Sequence, residues 1–388
     1  MAGLRSARRG VAIVFLVYGG VLATWVSRIP LIKRELGLDT AELSLALLGS
    51  PLGLILAMRF VSAFVGAWSS AAVVRFGILA ACAAMVLPAL AWNLGSLAVA
   101  LLLQGLSLGT LDIAMNTQGV AIERGYARPI MSGIHGMYSV GVLVGALVGA
   151  LAAGAGVDPV LHFAVAAVGL ALLGSLGARR LLDAGADAAA ERAGEGAPLR
   201  LARHPSLIAL GVIAFCCLFA EGAVDDWSGV HLYEEQGASL GLAPLAAAAC
   251  GTGMAIGRFA GDAVIARFGR PATLWRAALV VGAGMTLAVL APTPAVAIAA
   301  YGVLGLGVAT IVPIAFTLAG NTPGVPPAWA ISRVTTLGYA GLFSSPPVIG
   351  LVAQGTGLAV ALAIPAVLLL AVAPLSRVTR AGQVASQR

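Results

Sequence analysis

Long apolar runs dominate this chain and restrict what it can fold into. A membrane-spanning helix needs roughly 20 apolar residues in a row. Of the 388 residues, 60% are hydrophobic and 10% are charged, whereas soluble proteins average about 25% charged residues. Twelve suitable runs occur, at 11–29, 43–67, 71–92, 96–121, 131–156, 159–178, 206–232, 243–264, 272–291, 295–319, 328–353 and 357–375. The sequence therefore predicts an all-α polytopic protein whose twelve transmembrane helices lie in a lipid bilayer.

The basic residues predict the orientation of these helices. An even number of spans places both termini on one side of the membrane. If that side is the cytoplasm, all 23 basic residues lie there or at its membrane edge except Arg28, Lys33 and Arg34. The positive-inside rule therefore predicts cytoplasmic termini. The arginines form no basic patch with interleaved aromatic residues, which argues against binding to nucleic acid.

Two halves are visible in the sequence. The longest polar stretch, 179–205, predicts a flexible cytoplasmic linker between an N-terminal six-helix bundle, 1–178, and a C-terminal one, 206–388. Related segments recur at nearly constant spacing: 131–141 overlays 331–341, 108–112 overlays 306–310, and Gly20 and Trp25 overlay Gly222 and Trp227. The pattern indicates a duplication into two pseudo-symmetric six-helix bundles, an architecture common among secondary transporters.

Three acids occur within the seventh span, at Glu221, Asp225 and Asp226. An ionised carboxylate at such a position costs about 2.5–3.5 kcal/mol on insertion scales, so a chain that keeps three of them is expected to use them. Glu221 is predicted near the midplane and is the best proton-carrier candidate, because removal from water disfavours the charged form of a carboxyl group. The structural alternatives are a permanently protonated, hydrogen-bonded acid at Glu221 and a solvated outer loop end at the two aspartates.

Polar residues also occur inside the fourth and fifth spans. Asp112 and Asn116 are four residues apart, hence on one helical face, and His135 is expected at a similar depth. We predict that the three form a polar cluster that binds solute, with Asp112 as a second proton-coupling residue. A structural hydrogen-bond network between the helices is the alternative.

Aromatic residues indicate the kind of solute. Tyr18 and Trp25 share one face of the first span, and Trp227 is the counterpart of Trp25. Indole rings beside carboxylates suit a polyol or, through cation–π attraction, a cation. The alternative for Trp25 is anchoring at the membrane interface. Thr310, which overlays Asp112, completes the predicted solute-binding set with Asp225 and Asp226.

The run from Gly257 to Arg270, GRFAGDAVIARFGR, lies between the eighth and ninth spans. It resembles the signature loop of the major facilitator superfamily. That resemblance covers nearly the whole chain and implies two bundles around a central cavity that opens alternately to either side. It also implies gating roles for five residues: Gly257, Gly261, Asp262, Arg267 and Arg270. An ordinary charged turn is the alternative for this run.

Four short motifs are similar to the fucose-permease-like branch of bacterial inner-membrane members. They begin at Arg28, Leu111, His135 and Glu221, as RIPLIK, LDIAMN, HGMYSVG and EGAVDDWSG. This resemblance implies proton-coupled symport of a small polar solute such as a sugar or polyol, across the cell inner membrane, by a protein that functions as a monomer. Efflux of an amphipathic compound, or a non-transporting membrane sensor or scaffold, are the alternatives.

Enzyme motifs are poor in this sequence. The segment 105–109, GLSLG, matches the hydrolase Gly-x-Ser-x-Gly pattern but lies within a span, whereas that motif needs a strand-to-helix turn. No phosphate-binding loop ending in Gly-Lys-Ser/Thr occurs, and the four histidines include no zinc-binding pair. We therefore predict neither enzyme activity, nor a cofactor, metal or nucleotide.

Overall fold

The computed structural model describes residues 2–126, 130–182, 201, 204–323, 325 and 327–372, so the predicted linker 179–205 lies largely outside it. Fourteen α-helices occur in this described part. They are α1 (Ala2–Val26), α2 (Ile29–Glu35), α3 (Thr40–Leu47), α4 (Gly49–Trp68), α5 (Ser70–Val86), α6 (Leu94–Tyr126), α7 (Met131–Gly154), α8 (Pro159–Ala178), α9 (Pro205–Val230), α10 (Leu245–Phe268), α11 (Arg270–Val289), α12 (Pro294–Gly320), α13 (Pro327–Thr356) and α14 (Leu358–Val372).

The structure has two helices more than the twelve predicted spans: span 43–67 is divided into α3 and α4, and α2 follows span 11–29, with which it shares only Ile29. α1 and α2 are separated just before Pro30, and α3 and α4 are separated at Leu48, before Pro51. Proline has no backbone N–H to continue the preceding helix. In the described residues, ten helical stretches are long and apolar enough to cross a membrane, and a shorter apolar one covers Leu358–Leu370. Predicted span 243–264 corresponds to α10, which is not among the ten.

Local sequence explains where several helices begin. Asp158 caps α8 by accepting a hydrogen bond from the backbone N–H of Leu161, and Pro159 follows as the first helical residue. Thr293 and Pro294 begin α12 in the same way. A short polar side chain before proline is a common helix start, because the side chain accepts from a free N–H and proline has none to leave unsatisfied.

By its backbone contacts the chain forms two compact units. The first comprises the described residues of Met1–Glu191 together with Leu232–Ala248, and the second comprises those of Arg192–His231 and Ala249–Arg388. In unit 1, α1 packs against α7 and α8, and α4 and α5 pack against α6. In unit 2, α9 packs against α13, and α11 packs against α12 and α14. Each unit is therefore a helical bundle with its own packed interior.

Glycines bring helix backbones of unit 1 into direct contact. A Cβ on Gly105 of α6 would overlap the carbonyl oxygen of Ser50 on α4. A Cβ on Gly141 of α7 would likewise overlap the carbonyl oxygen of Leu16 on α1. Small residues allow this close approach, which membrane bundles use because dispersion contacts hold their helices together. We call these contacts glycine seams.

The seams recur in unit 2 with the glycines 200 residues later. A Cβ on Gly305 of α12 would overlap the carbonyl oxygen of Cys250 on α10, and one on Gly341 of α13 would overlap that of Phe215 on α9. Two helix pairs in each unit therefore make backbone contact at corresponding glycines. The contacts agree with the offset of about 200 residues seen in the sequence.

The segment after α9 packs with unit 1. His231–Glu235 continues α9 as a π-helical turn, and the Lys33 ammonium then pairs with Glu234, with an Nζ–Oε1 distance of 2.6 Å. Arg34 Nη1 donates to the hydroxyl of Tyr233 at 3.0 Å. Ala248 packs in a small apolar cluster with Ala23 and Ala146, so polar and apolar contacts both hold the segment in place.

The Lys33–Glu234 ion pair is expected to stabilise unit 1. The Lys33 side chain is 6% exposed and that of Glu234 is 37% exposed, so Glu234→Ala leaves a buried cation without its counter-charge. We expect this change to lower the free energy of unfolding by about 1–3 kcal/mol, between the values for exposed and fully buried pairs. Thermal unfolding in detergent, at low and high salt, measures the loss.

A double replacement is the control for this prediction. Lys33→Met/Glu234→Leu removes both charges, so it should be less destabilising than Glu234→Ala. Equal losses in the two variants would show that the unpaired charge of Lys33 is not what destabilises Glu234→Ala.

Candidate functional site

The acidic run lies in the second half of α9, within unit 2. Glu221, Asp225 and Asp226 are all partly buried. The Asp225 carboxyl group is close enough to those of Glu221 and Asp226 for their charges to interact, and Glu221 is one helical turn away. Carboxylates this close repel one another, so they need a counter-charge or protons.

Arg258 of α10 supplies a counter-charge. Arg258 is partly buried, and its guanidinium is close enough to the Glu221 carboxyl group for the two charges to attract each other. The sequence predictions missed this residue, which stands between Gly257 and Gly261 in the run that resembles the signature loop. The signal that could have found it is a cation inside an apolar helix, one span after an unmatched acid. The structure thus brings together an intramembrane acid and base from consecutive spans.

Residues on both sides of the acidic run contact α12. Cys217, one turn before Glu221, has its Sγ 3.9 Å from the carbonyl oxygen of Val308. His231 pairs through Nδ1 with the hydroxyl of Tyr301, at 3.1 Å, and both side chains are completely buried. The His231–Tyr301 pair was not predicted, because it joins the ends of two distant spans and leaves no spacing signal.

Two predicted solute-binding residues of unit 2 are buried. Trp227 is 0% exposed, and no described residue accepts a hydrogen bond from its indole Nε1. Thr310 is 9% exposed, as is Thr110 in unit 1. The glycine seams align Thr310 with Thr110, so the sequence overlay of Thr310 on Asp112 was wrong by two residues. In this conformation Trp227 is closed to a solute.

The predicted polar cluster of unit 1 is present in part. Asn116 Nδ2 donates to Asp112 Oδ1 at 3.1 Å, so these two side chains do pair on one face of α6. His135 of α7 instead packs edge-on against Phe15 of α1, with the ring centroids 4.9 Å apart. The three residues are all partly buried.

The two aromatic residues of α1 differ in their surroundings. Tyr18 is partly buried, and its ring lies 5.9 Å from that of Tyr138 on α7. Trp25, towards the end of α1, is 3% exposed. Tyr18 and Tyr138 therefore add a pair of hydroxyl-bearing rings to the polar side chains of this unit.

The residues predicted to gate lie at the end of α10 and the start of α11. A Cβ on Gly257 would meet Ala309 Cβ of α12 at 2.6 Å, which explains the need for glycine there. Arg267 and Arg270 are exposed, and the Arg267 guanidinium lies 5.4 Å from the ring of Phe268. Gly261 packs tightly beside Thr310. The side chain of Asp262 lies outside the described residues.

A buried arginine near the end of α1 was not predicted as a structural contact. Arg28 is 1% exposed; its Nε donates to His162 Nδ1 at 3.2 Å and its Nη2 donates to the carbonyl oxygen of Val157 at 3.1 Å. These bonds tie the break between α1 and α2 to the start of α8.

Among the described residues, no group of three or more His, Cys, Asp or Glu side chains is placed to hold a metal ion.

Solved transporter structures share this fold. A D-xylose–proton symporter superposes with a TM-score of 0.76 at 12% identity, covering 96% of each chain. The E. coli fucose:proton symporter superposes with a TM-score of 0.56 at 17% identity, covering 95% of this chain and 98% of that one. At these identities the match shows the fold, and it does not single out the fucose-permease-like branch.

Sequence comparison is more specific. An uncharacterised MFS-type transporter of Yersinia pestis is 33% identical over 376 residues, covering 97% of this chain and 96% of the relative. The sequence profile of the Major Facilitator Superfamily matches residues 10–329. The protein therefore belongs to the major facilitator superfamily, as a multi-pass MFS-type transporter with the all-helical fold of that family.

Proposed function

We propose that this transporter couples the movement of a small polar solute, a sugar, polyol or related metabolite, to the movement of protons in the same direction. It acts as a monomer in the bacterial cytoplasmic membrane, with both termini in the cytoplasm. The bundles 1–178 and 206–388, joined by the linker 179–205, alternate in access to a midplane site. Neighbours in fold that are named as sugar–proton symporters support this choice of solute and ion.

The acidic run of α9 beside Arg258 is the observation that carries the proposal. Glu221 has two states: a carboxylate that attracts Arg258, and a protonated carboxyl group that does not. In the first step a proton adds to the Glu221 carboxylate, while the guanidinium keeps its own proton. Loading a proton thereby releases Arg258, so the charge state of Glu221 is linked to how α9 and α10 interact.

Solute binding is assigned to polar and aromatic groups of both bundles: Tyr18, Trp25, Asn116, His135, Asp225, Asp226, Trp227 and Thr310. The Asp112–Asn116 pair supports this assignment, because a carboxylate and an amide on one face can accept hydrogen bonds from solute hydroxyl groups. Asp112 acts as the second proton-coupling group. Trp227 reaches solute only in a conformation that uncovers it, since it is fully buried here.

Gating is assigned to the run at the end of α10 and the start of α11. Gly257 and Gly261 support it by allowing α10 to approach α12 closely. Arg267 and Arg270, both exposed, act together with Asp262 to hold the gate closed.

The direct test is a search for the solute followed by flux. Purified protein is screened by thermal shift against sugars, polyols and metabolites at two pH values, and each stabilising solute is then tested in proteoliposomes. We expect stabilisation that depends on pH, and uptake that an inward proton gradient drives above equilibrium. Uptake that is the same with and without the proton gradient would contradict coupling of the solute to protons. Competition by lipophilic cations without any by sugars would indicate efflux of amphipathic compounds instead.

A further inference from the structure

An open cleft of about 730 Å³ lies within unit 1, and none of the residues that line it belongs to the acidic run of α9. The first turns of α1, the end of α6 and the start of α7 line it. Arg5, Arg8 and Arg9 contribute its charge, while residues such as Leu4 and Met137 contribute apolar wall. The volume is in the range of small-ligand sites, about 300–1,000 Å³. We call it the arginine cleft.

The three arginines are concentrated on one side of α1. Positions i, i+3 and i+4 share a helical face, where like charges destabilise the helix. None of the three forms an ion pair with a carboxylate among the described residues, where the pair found is Lys33–Glu234. Arg8 lies over the ring of Tyr126, 5.7 Å from its centroid. The cleft therefore has three positive charges, and none of them is ion-paired with a carboxylate of the described residues.

The start of α7 lies beside the cleft, and a carboxylate already occupies its first N–H groups. The N-terminus of a helix carries partial positive charge and free N–H groups, so it favours anions. Glu123 already accepts from the backbone N–H groups of Ile130 and Met131, at 2.7 and 2.9 Å. Gly133 follows; it is exposed, and a Cβ there would meet Arg8 Nη2 at 3.8 Å. Arg8 thus reaches the first turn of α7, beyond the hydrogen bonds of Glu123.

We infer that the arginine cleft binds a phosphate-bearing ligand. Guanidinium groups bind phosphate oxygens in pairs of parallel hydrogen bonds, which makes arginine the preferred partner of phosphate. The apolar wall suits a ligand whose phosphate is attached to a carbon chain or a glycerol. Two sources share this chemistry: the headgroup of an anionic phospholipid, which basic clefts between transmembrane helices bind, and a soluble organic phosphate. The inference does not depend on the proposed transport function.

Gly133 allows a test that leaves the arginines in place. Gly133→Asp puts a carboxylate beside Arg8, where it competes with phosphate, while Gly133→Asn has nearly the same shape and no charge. A Cβ is accommodated at this position, because its contact at 3.8 Å with Arg8 Nη2 is an ordinary one. The probes are phosphatidylglycerol, compared with phosphatidylcholine, by native mass spectrometry of the full chain in detergent, and glycerol phosphate by titration calorimetry.

We expect Gly133→Asp to weaken phosphate binding by about tenfold or more, as the loss of a charge-assisted hydrogen bond implies, and Gly133→Asn to bind like the wild type. Phosphatidylglycerol binding with this dependence supports a lipid source, and glycerol phosphate binding with this dependence supports a soluble one. Equal weakening in the two variants would overturn the inference. So would wild-type protein that binds neither probe more tightly than phosphatidylcholine.

Removal of the arginines provides a second, independent measurement. Arg5→Gln/Arg8→Gln/Arg9→Gln is compared with Arg59→Gln/Arg75→Gln/Arg179→Gln, which removes three exposed arginines of the same unit from outside the cleft. The cleft variant should lose binding of the probe while the control retains it. Loss in both variants would mean that total charge, and not the cleft, attracts phosphate.

Discussion

Replacing Glu221 by glutamine should abolish proton movement that accompanies solute uptake. Glutamine keeps the size and hydrogen-bonding capacity of the side chain, but it cannot take up a proton or attract Arg258 as an ion. Solute exchange down its own gradient, which needs no net proton transfer, should persist. Proteoliposomes that contain a pH-sensitive dye measure the first quantity, and counterflow of labelled solute measures the second.

Glu235→Gln is the matched control for this prediction, since the residue follows α9 in the same chain segment and is exposed. It should leave both measurements unchanged. Proton uptake that survives in Glu221→Gln at the wild-type rate would contradict the assigned role. If it survives there but is lost in Asp112→Asn, the coupling group lies in unit 1.

The role of Arg258 is tested by removing both charges. Arg258→Gln alone leaves Glu221 without its cation, and breaking a buried pair in this way typically destabilises by about 3–5 kcal/mol. Because Glu221 is only partly buried, we expect a smaller loss, about 1–3 kcal/mol, and partial recovery in Glu221→Gln/Arg258→Gln. Thermal unfolding in detergent gives the comparison. A double variant less stable than the single one would argue against an attraction between the two groups.

Adding one methyl group at a glycine seam should strongly destabilise the protein. In Gly141→Ala the new Cβ would overlap the carbonyl oxygen of Leu16, and a backbone atom cannot move aside as a flexible side chain can. Overpacking of this kind costs about 1–3 kcal/mol, occasionally more, and we expect the upper end. Gly341→Ala should have a loss of similar size, because its Cβ would overlap the carbonyl oxygen of Phe215.

Two helical glycines outside the seams are controls. A Cβ on Gly169 of α8 or Gly355 of α13 meets nothing within 4 Å. Alanine there should stabilise by up to about 1 kcal/mol, the difference in helix propensity. Thermal unfolding of the four variants separates steric from propensity effects. A loss at Gly169 equal to that at Gly141 would show that the seams have no special role.

The positions of the helices could be predicted because the apolar runs that must cross a bilayer are long. Predicted span 159–178 and α8 have the same bounds, and predicted span 295–319 differs from α12 by one residue at each end. The division at Leu48 was not predicted, since the apolar run continues through it, and α2 was not predicted because Arg28, Lys33 and Arg34 interrupt the apolar run there. The offset of the repeat was predicted only to within two residues, because apolar sequence aligns equally well in several registers.

The candidate site could be predicted only where its parts lie on one helix. Asp112 and Asn116 were expected together because residues four apart share a face, and their side chains do pair. Whether Arg258 comes near Glu221, and whether His231 pairs with Tyr301, depends on how separate helices are rotated about their axes. The Lys33–Glu234 pair depends on the π-helical turn, which changes the direction in which residues after Val230 project. Neither rotation nor that turn leaves a pattern in the spacing of residues.

The glycine seams have a consequence for how the molecule moves. Where backbone meets backbone, no side chain is available to change rotamer, so α1 and α7 can slide or tilt against each other only by breaking the contact. Each such pair is thus a single mechanical element. Spin labels placed on the two helices of a pair should report one narrow distance distribution, unchanged by solute or pH. Conformational heterogeneity seen by such labels is then expected between elements and not within them.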